Sequence, residues 1–376
     1  MEKRAVCVSC FDFYDHRVEL VMDQLRSRGY QCTYITADFS HFSRQKYTID
    51  VPDSEQVRTL PYYRNMSLTR LLSHLLFTRA VFKRIRQIKP DLLYVMVPPN
   101  SLSLWAGRYK KKHPQVKLAL DLYDLWPETF PNGRVKKLAA LPFALWGWMR
   151  DQGLKQADLI YSECDLYRKV LSRQLAGKET RLLPICRVAP TTGPEPVAPA
   201  CDELSLCYLG SIGKLLDIEV LTELLRKMVA LRPVALHIIG EGETRAEVIR
   251  AAEDTGAHVI YYGRVYDPER RQAIFDQCHF GINIMKTDVC VGLTMKSLDY
   301  FAGGLPIINS IEADTRQIIR KYNAGVELDR SDIAKTARIA CQMTAEQNTA
   351  MRRNTLRMFE ENFSVAQVRR ILSELE

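Results

Sequence analysis

The feature that most constrains this chain is a repeated alternation of short apolar runs and amphipathic helices, broken once by proline. Residues 5–10 read as a buried strand, and 17–28 place Val18, Val21, Met22 and Leu25 at helical spacing. Gly29 then ends the helix as a C-cap, and residues 32–36 form a second strand. Such a β-α-β unit implies parallel strands and a doubly wound sheet. The rhythm continues with a helix over 68–89 that stops at Pro90, a strand over 91–97, a helix over 102–111 and strands over 116–121 and 157–161. Residues 186–203 interrupt it: prolines at 190, 194, 196 and 199 without periodicity read as an interdomain linker. The rhythm then restarts. Strands are predicted over 204–209, 235–239, 259–262, 280–285 and 306–309, and helices over 218–231, 244–255, 268–277 and 295–302.

The pattern therefore predicts two Rossmann-like α/β domains, with ligands bound at the carboxyl ends of the strands and in the crevice between the domains. The predicted boundaries are 1–185, a linker at 186–203, a second domain at 204–360, and a last helix at 361–376. A length of 376 residues suits two domains. A composition 47% hydrophobic and 26% charged excludes disorder, collagen and coiled coil as descriptions of the whole. The start of the sequence predicts no secretory signal, and the longest nearly apolar stretch, 12 residues at 138–149, is too short to span a bilayer. Ten cysteines without a framework fit a reduced, cytoplasmic compartment.

Charge is divided unevenly. Residues 1–185 carry a net +12 and residues 186–376 a net −3. Between 64 and 117, twelve basic residues face one acid, Asp91. Such a surface attracts polyanions, either nucleic acid or anionic lipid, unless the charges are ordinary solvated helix faces. No RNA-recognition motif, zinc finger or basic helix-turn-helix accompanies the charge, so nucleic acid is not expected.

Several motifs have chemical potential. Cys7 and Cys10 have C-x-x-C spacing, but a zinc site needs a second pair, and within a strand they read as core. No metal is expected. Gly210, Ser211, Gly213 and Lys214 lie between a strand and a helix, where small residues either let backbone N–H groups approach a phosphate or form a tight turn. Gly240 with Gly242, and Gly263 with Arg264, end the next two strands; an Arg there is a phosphate ligand or a surface residue. The most informative stretch runs from Gly292 to Pro306. Its loop opens a helix, so N–H groups at Leu293, Thr294 and Met295 are available to a diphosphate, with Lys296 to counter its charge and Asp299 to bind ribose. An ion pair on an ordinary helix is the plain alternative for the last two.

These segments, in this order and with Asp124-Leu-Trp-Pro-Glu128, resemble the retaining family-4 glycosyltransferases of GT-B fold, and among them the bacterial surface-polysaccharide enzymes. The likeness covers nearly the whole chain and includes Phe11-Asp-Phe-Tyr-Asp-His16-Arg17 and Asp38-Phe-Ser-His41-Phe42. It implies a C-terminal domain that binds a nucleotide sugar as substrate, without a resident cofactor. It also implies an N-terminal acceptor domain, with Asp12, His16, Tyr123 and Trp126 as acceptor contacts, and a last helix that crosses back to that domain. Lys214 and Arg264 would face the diphosphate, and Asp299 matches the second acid of the family's paired-glutamate motif. The chain departs from the family at Val291, the position of the first acid, and at Tyr123, where a His is common.

Departure of a nucleoside diphosphate needs preorganised positive charge, and Lys214, Arg264, Lys296 and the helix N-terminus at 293–295 are the candidates. With retention, the leaving phosphate takes the acceptor proton; with inversion, Asp124 or Glu128 is the candidate base. Asp124 otherwise caps a short helix near Pro127. The helix over 68–89 is predicted to pack an apolar side of Leu68, Leu71, Leu72, Leu75, Phe82 and Ile85 and to show a basic stripe of Arg79, Lys83 and Arg86. With Lys136 and Lys137 beside Phe143, Trp146 and Trp148, that stripe predicts peripheral binding to an anionic membrane face, where a lipid-linked glycan acceptor would be met. The competing readings are a non-catalytic GT-B homologue supporting a partner transferase and a GT-B-type sugar-nucleotide epimerase. Oligomeric state is not encoded in any of these features.

Overall fold

A computed structural model of the protein describes residues 2–64, 67–130, 140–190, 195–199 and 202–374. Arg134, Lys136 and Lys137 of the predicted membrane segment, and part of the proline run, lie outside the described residues. The chain divides into two compact units, Met1–Ile185 with Arg369–Glu376, and Cys186–Val368. The last residues of the chain thus belong to the first unit, where Arg369 pairs with Asp23 at 3.2 Å.

The first unit is built on seven parallel strands: β1 (Lys3–Val8), β2 (Tyr30–Ala37), β3 (Ser54–Val57), β4 (Leu92–Val97), β5 (Lys117–Leu122), β6 (Leu159–Ser162) and β7 (Glu179–Leu182), in the order β3-β2-β1-β4-β5-β6-β7. The main crossovers are α1 (Asp15–Ser27), α2 (Leu68–Ile88), α3 (Asn100–Lys112), α4 (Ala140–Leu154) and α5 (Asp165–Val170). Central β4 is buried along its whole length, as a strand covered on both faces must be. Two edge strands, β3 and β7, have no apolar run and escape a pattern reading. Gly29 ends α1 with φ +80°, and Lys89 ends α2 in the same left-handed region. Inside the sheet, Arg17 donates to Asp121 at 2.6 and 2.9 Å and to the carbonyls of Leu183 and Pro184, while the Tyr94 hydroxyl also binds Asp121. A buried ion pair closed on all sides in this way fixes register without leaving an unpaired charge.

The second unit has six parallel strands: β8 (Leu204–Leu209), β9 (Val234–Ile239), β10 (His258–Gly263), β11 (Phe280–Asn283), β12 (Ile307–Asn309) and β13 (Gly325–Glu327), in the order β10-β9-β8-β11-β12-β13. Its helices are α6 (Ile218–Val229), α7 (Arg245–Glu253), α8 (Pro268–Asp276), α9 (Met295–Ala302), α10 (Asp314–Tyr322), α11 (Ile333–Cys341) and α12 (Ala345–Asn362). α13 (Val365–Leu372) leads back to the first unit. Leu206, Tyr208, Leu224, Leu236, Phe280 and Ile282 are among the residues of its core. Both units place the ends of their central strands side by side, β8, β9 and β11 in one and β1, β4 and β5 in the other. The loops that carry the predicted motifs leave from those ends.

One predicted helix face holds over only part of its length. Along α2 the buried residues are Arg70, Ser73, His74, Phe77, Thr78, Val81, Phe82 and Ile85. Leu68, Leu71, Leu72, Leu75 and Leu76 are exposed, Leu68 at 84%. The stripe through Phe77, Val81 and Ile85 continues backward onto Arg70 and His74, whose contacts with aromatic rings make their burial tolerable. Only the second half of the expected apolar side faces the core.

Candidate functional site

In the second unit, the loops after β8, β9 and β10 are laced together by backbone bonds. Gly210 donates to the Ile239 carbonyl, Ile212 to Glu241, and Gly240 to Gly263, at 2.8–2.9 Å. Gly240 has φ +144°, and a Cβ there would lie 1.9 Å from the Gly210 carbonyl oxygen. A Cβ at Gly242 would lie 2.0 Å from the Ile212 oxygen. These glycines are therefore required first by the packing of one loop on another. The Ser211 carbonyl accepts from the Tyr208 hydroxyl at 2.8 Å, and Gly213 accepts from the Leu216 N–H, so the loop is a held turn.

α9 is fixed over the ends of β8 and β11. The buried Tyr300 hydroxyl donates to the Cys207 carbonyl at 2.9 Å and accepts from the Leu209 N–H at 2.7 Å. Thr294 caps the helix in a reciprocal box with Ser297, and its hydroxyl donates to Asn283 at 3.0 Å. The Thr294 N–H donates to the Ser297 hydroxyl at 3.2 Å. This corrects the expectation that Thr294 offers a free N–H: the capping box uses it. The Gly292 carbonyl accepts from the Thr315 N–H and hydroxyl, which sets the height of the loop. Leu293 and Met295 remain partly exposed on either side of the cap.

Lys296 sits two positions inside the cap, its ammonium 4.7 Å from the centroid of the Tyr208 ring. Among the described residues it forms no ion pair. Burial brings its pKa down to about 8. A lysine in the first turn of a helix adds positive charge to the positive end of the helix dipole. Asp299, one turn on, takes Arg187 at 3.0 Å and Arg271 at 3.9 Å. Lys296 and Asp299 do not pair with each other, and Asp299 borders a cavity of about 160 Å³ with Pro190, Gln272 and Gly303. The expected ribose carboxylate is thus already held by two arginines. Lys214 is 79% exposed and 3.7 Å from Glu243, and Arg264 is exposed, 3.5 Å from the Tyr266 hydroxyl and close enough to Glu241 to act on its charge. Val291 is partly exposed.

In the first unit, the ends of β1, β4 and β5 gather an aromatic cluster. Phe11 meets His41, His74 and Tyr123 edge-on, and Tyr14 lies 4.1 Å from Tyr123. The Arg70 guanidinium lies 4.5 Å from the Trp126 ring centroid and 5.5 Å from that of Tyr62. Burial brings His41 down to about 4 and His74 to about 3, helped by Arg70, so both rings are neutral at pH 7. Tyr123 is buried and its hydroxyl donates to the Pro98 carbonyl at 2.7 Å. His16 is exposed beside Glu19 at 3.7 Å, outside this cluster. Asp12 lies in it, and its Oδ1 is buried without a hydrogen-bond partner among the described residues. Trp126 is half-buried against Trp146 and Phe130.

The two candidate bases differ. Asp124 accepts from the Thr129 hydroxyl at 2.9 Å, and burial pushes its carboxyl up to about 6. Glu128 is bound through both oxygens, at 2.6 and 2.9 Å, to Arg150, which is 1% exposed and also pairs with Asp151. Glu128 is therefore a structural counter-ion, not a free base. Sequence reading missed Arg187, Arg271, Tyr208, Arg70 and His74. Arg70 and His74 did leave a signal, since both lie on the helical stripe of Phe77 and Val81. Among the described residues no group of three or more His, Cys, Asp or Glu could hold a metal ion.

Two parallel-sheet Rossmann-like units, each with its loops on the carboxyl edge, constitute the GT-B fold of glycosyltransferases. Residues 203–346 match the family described as glycosyl transferases group 1. Sucrose-phosphate synthase from Thermosynechococcus elongatus superposes with a TM-score of 0.70 at 14% identity, covering 99% of this chain and 98% of that one. The lipopolysaccharide outer core galactosyltransferase WaaB gives 0.66 at 14%, covering 98% and 97%. The Anabaena protein HepE in complex with UDP gives 0.67 at 11%, covering 99% of each chain. No curated protein matches the sequence. The matched family and the fold together support a glycosyltransferase of GT-B type.

Proposed function

We propose that the protein transfers a hexosyl or related sugar from a nucleotide-sugar donor to a lipid-linked glycan acceptor in bacterial surface-polysaccharide synthesis, with retention. The observation that carries this reading is Lys296, a cation over Tyr208 beside a glycine turn and a capped helix start. Its charge suits the diphosphate of the donor. In the reaction the bond from the sugar C1 to the diphosphate oxygen breaks and a bond from C1 to the acceptor oxygen forms. The acceptor proton passes to the leaving phosphate, so no strong protein base is needed. Lys296 and the exposed Lys214 and Arg264 stabilise the charge that develops on the diphosphate, and one lost donor of this kind costs about 100- to 1000-fold in rate. HepE is solved with UDP, which makes UDP the first nucleotide to try. Ribose recognition by Asp299 would require it to be shared with, or released from, Arg187 and Arg271.

The basic first half of the chain and the exposed leucines of α2 support peripheral attachment to the cytosolic leaflet of the cell membrane. Among the described residues no helix is long and apolar enough to cross a membrane. The reading is tested by incubating the protein with UDP-, GDP- and CDP-sugars and a lipid-linked acceptor and reading the product anomer by NMR. An α-configured donor giving an inverted product would remove retention. Nucleotide binding without turnover on any acceptor would favour a non-catalytic homologue, the reading that Val291 and the arginine-bound Asp299 point toward.

A further inference from the structure

α2 and α4 enclose an apolar groove of about 420 Å³, within the roughly 300–1,000 Å³ range of small-ligand sites. Leu71, Leu75, Phe143, Leu145, Trp146 and Met149 line it. Leu71, Leu75 and Leu145 are exposed, and Leu68, Leu72, Leu141 and Trp148 extend the apolar surface around it. A patch of this kind on a helix pair signals a binding surface. Two features specify its occupant.

The first is charge. α2 contains no acidic residue, and its exposed stripe runs from Leu68, Leu72 and Leu75 to Arg79, Lys83 and Arg86 at steps of three and four. Apolar contact and positive charge are thus offered in succession along one helix. The second is His74, which lines the groove, is 4% exposed, and has both ring nitrogens without a hydrogen-bond partner among the described residues. A neutral imidazole carries one donor and one acceptor. Beside it, Arg70 also lines the groove and lies against Trp126, and both Arg70 and His74 contact Phe11 of the loop that carries Asp12. The groove therefore runs from solvent-exposed leucines to the polar cluster at the ends of β1, β4 and β5.

We propose that this groove binds the hydrocarbon chain of a phosphorylated lipid, with the phosphate end directed to His74 and Arg70 and the chain lying between α2 and α4. The inference rests on the reading of the acceptor as lipid-linked and adds where the lipid is held. It places the glycan of that lipid next to Asp12 and Asp124 rather than at the exposed His16.

Farnesyl diphosphate serves as a soluble probe, with inorganic diphosphate as control, titrated against the full chain while tryptophan fluorescence is read, Trp146 being in the groove wall. The expected result is a saturable change with farnesyl diphosphate and none with diphosphate. The triple variant L71S/L75S/L145S, altered only at exposed positions, should weaken the probe by about tenfold or more. H74F, which keeps the volume and removes both nitrogens, should weaken it with the chain contacts intact. No saturable response, equal affinity in the triple variant, or an equal response to diphosphate would overturn the proposal. So would attachment to anionic phosphatidylglycerol vesicles with no response to the soluble probe, because the face would then meet the bilayer surface and not a single chain. A nucleotide-induced thermal shift measured on the same preparations separates the two readings. A shift without probe binding removes the groove and leaves the transferase. Probe binding without a shift does the reverse.

Discussion

The ammonium of Lys296 lies over the ring of Tyr208, and that ring's hydroxyl holds the turn at Ser211. One helix residue and one strand residue thus connect the start of α9 to the glycine turn after β8. A lysine in this place costs the empty protein stability, because burial disfavours its charged form. Its pKa of about 8 lies below the ordinary 10.5. Between those values the folded protein has lost the proton and the unfolded chain keeps it, so this group's contribution to stability rises with pH across that window. K296M should accordingly raise the melting temperature of the ligand-free protein by about 2 °C or more below pH 8. The gain should shrink as pH approaches 10. Differential scanning fluorimetry of both proteins from pH 7 to 10 checks this, and a pH-independent difference would refute it.

Asp124 works with the opposite sign of charge. Its carboxyl titrates near 6, against 3.8 ordinarily, with burial as the leading cause. Between pH 4 and 6 the folded protein holds a proton that the unfolded chain releases, so stability falls as pH rises through that window and stays lower above it. D124N should stabilise the protein by about 1–3 kcal/mol at pH 7.5 and by much less at pH 4, as read by urea denaturation. If transfer proceeds with retention, D124N should also keep most of its turnover. A loss of several orders of magnitude would reinstate Asp124 as a base.

Glu128 answers the burial of Arg150. E128Q removes one of that guanidinium's two carboxylate partners among the described residues, leaving Asp151 and the Trp126 carbonyl, and should cost about 2–4 kcal/mol of stability. Turnover per folded molecule should change less than tenfold at a temperature where the variant is folded. A stable variant with abolished turnover would contradict the structural assignment.

Two glycines separate backbone conformation from packing. Gly29 and Gly240 both have positive φ, but a Cβ at Gly29 has no atom within 4 Å, whereas at Gly240 it would strike the Gly210 carbonyl. G29A should cost about 1 kcal/mol, the cost of a left-handed residue with a side chain. G240A should cost about 3 kcal/mol or more and disturb the glycine turn. Equal effects in chemical denaturation would show that the loop contact at Gly240 is not tight.

Much of the fold could be read from period and punctuation. Strands such as 204–209 and 92–97 are nearly all apolar and buried throughout because helices cover both faces, and Gly29 and Pro90 mark the ends of α1 and α2. β3 and β7 stayed hidden because short edge strands need no apolar run. The α2 face was misassigned because a count of leucines ignores that Arg70 and His74 can be buried among rings. The start of α9 stands out in the sequence since glycine, a cap residue and Lys296 fall together within five positions. What was not legible was occupancy of the neighbouring groups. Thr294 spends its N–H on Ser297, Asp299 is held by Arg187 from 112 residues away, and Glu128 is held by Arg150. Such pairings arise from folding and have no local signature.

A thermal-shift panel tests most directly the proposal that Lys296 marks a nucleotide diphosphate site. UDP, GDP and CDP are added to wild type and to K296M, with D299N in parallel. A ligand at 100 times its dissociation constant adds about 2.7 kcal/mol, a shift of several degrees. One nucleotide, UDP first, should raise the melting temperature of wild type, and K296M should lose most of the shift despite its higher starting stability. No shift in wild type with any nucleotide, or an equal shift in K296M, would contradict it.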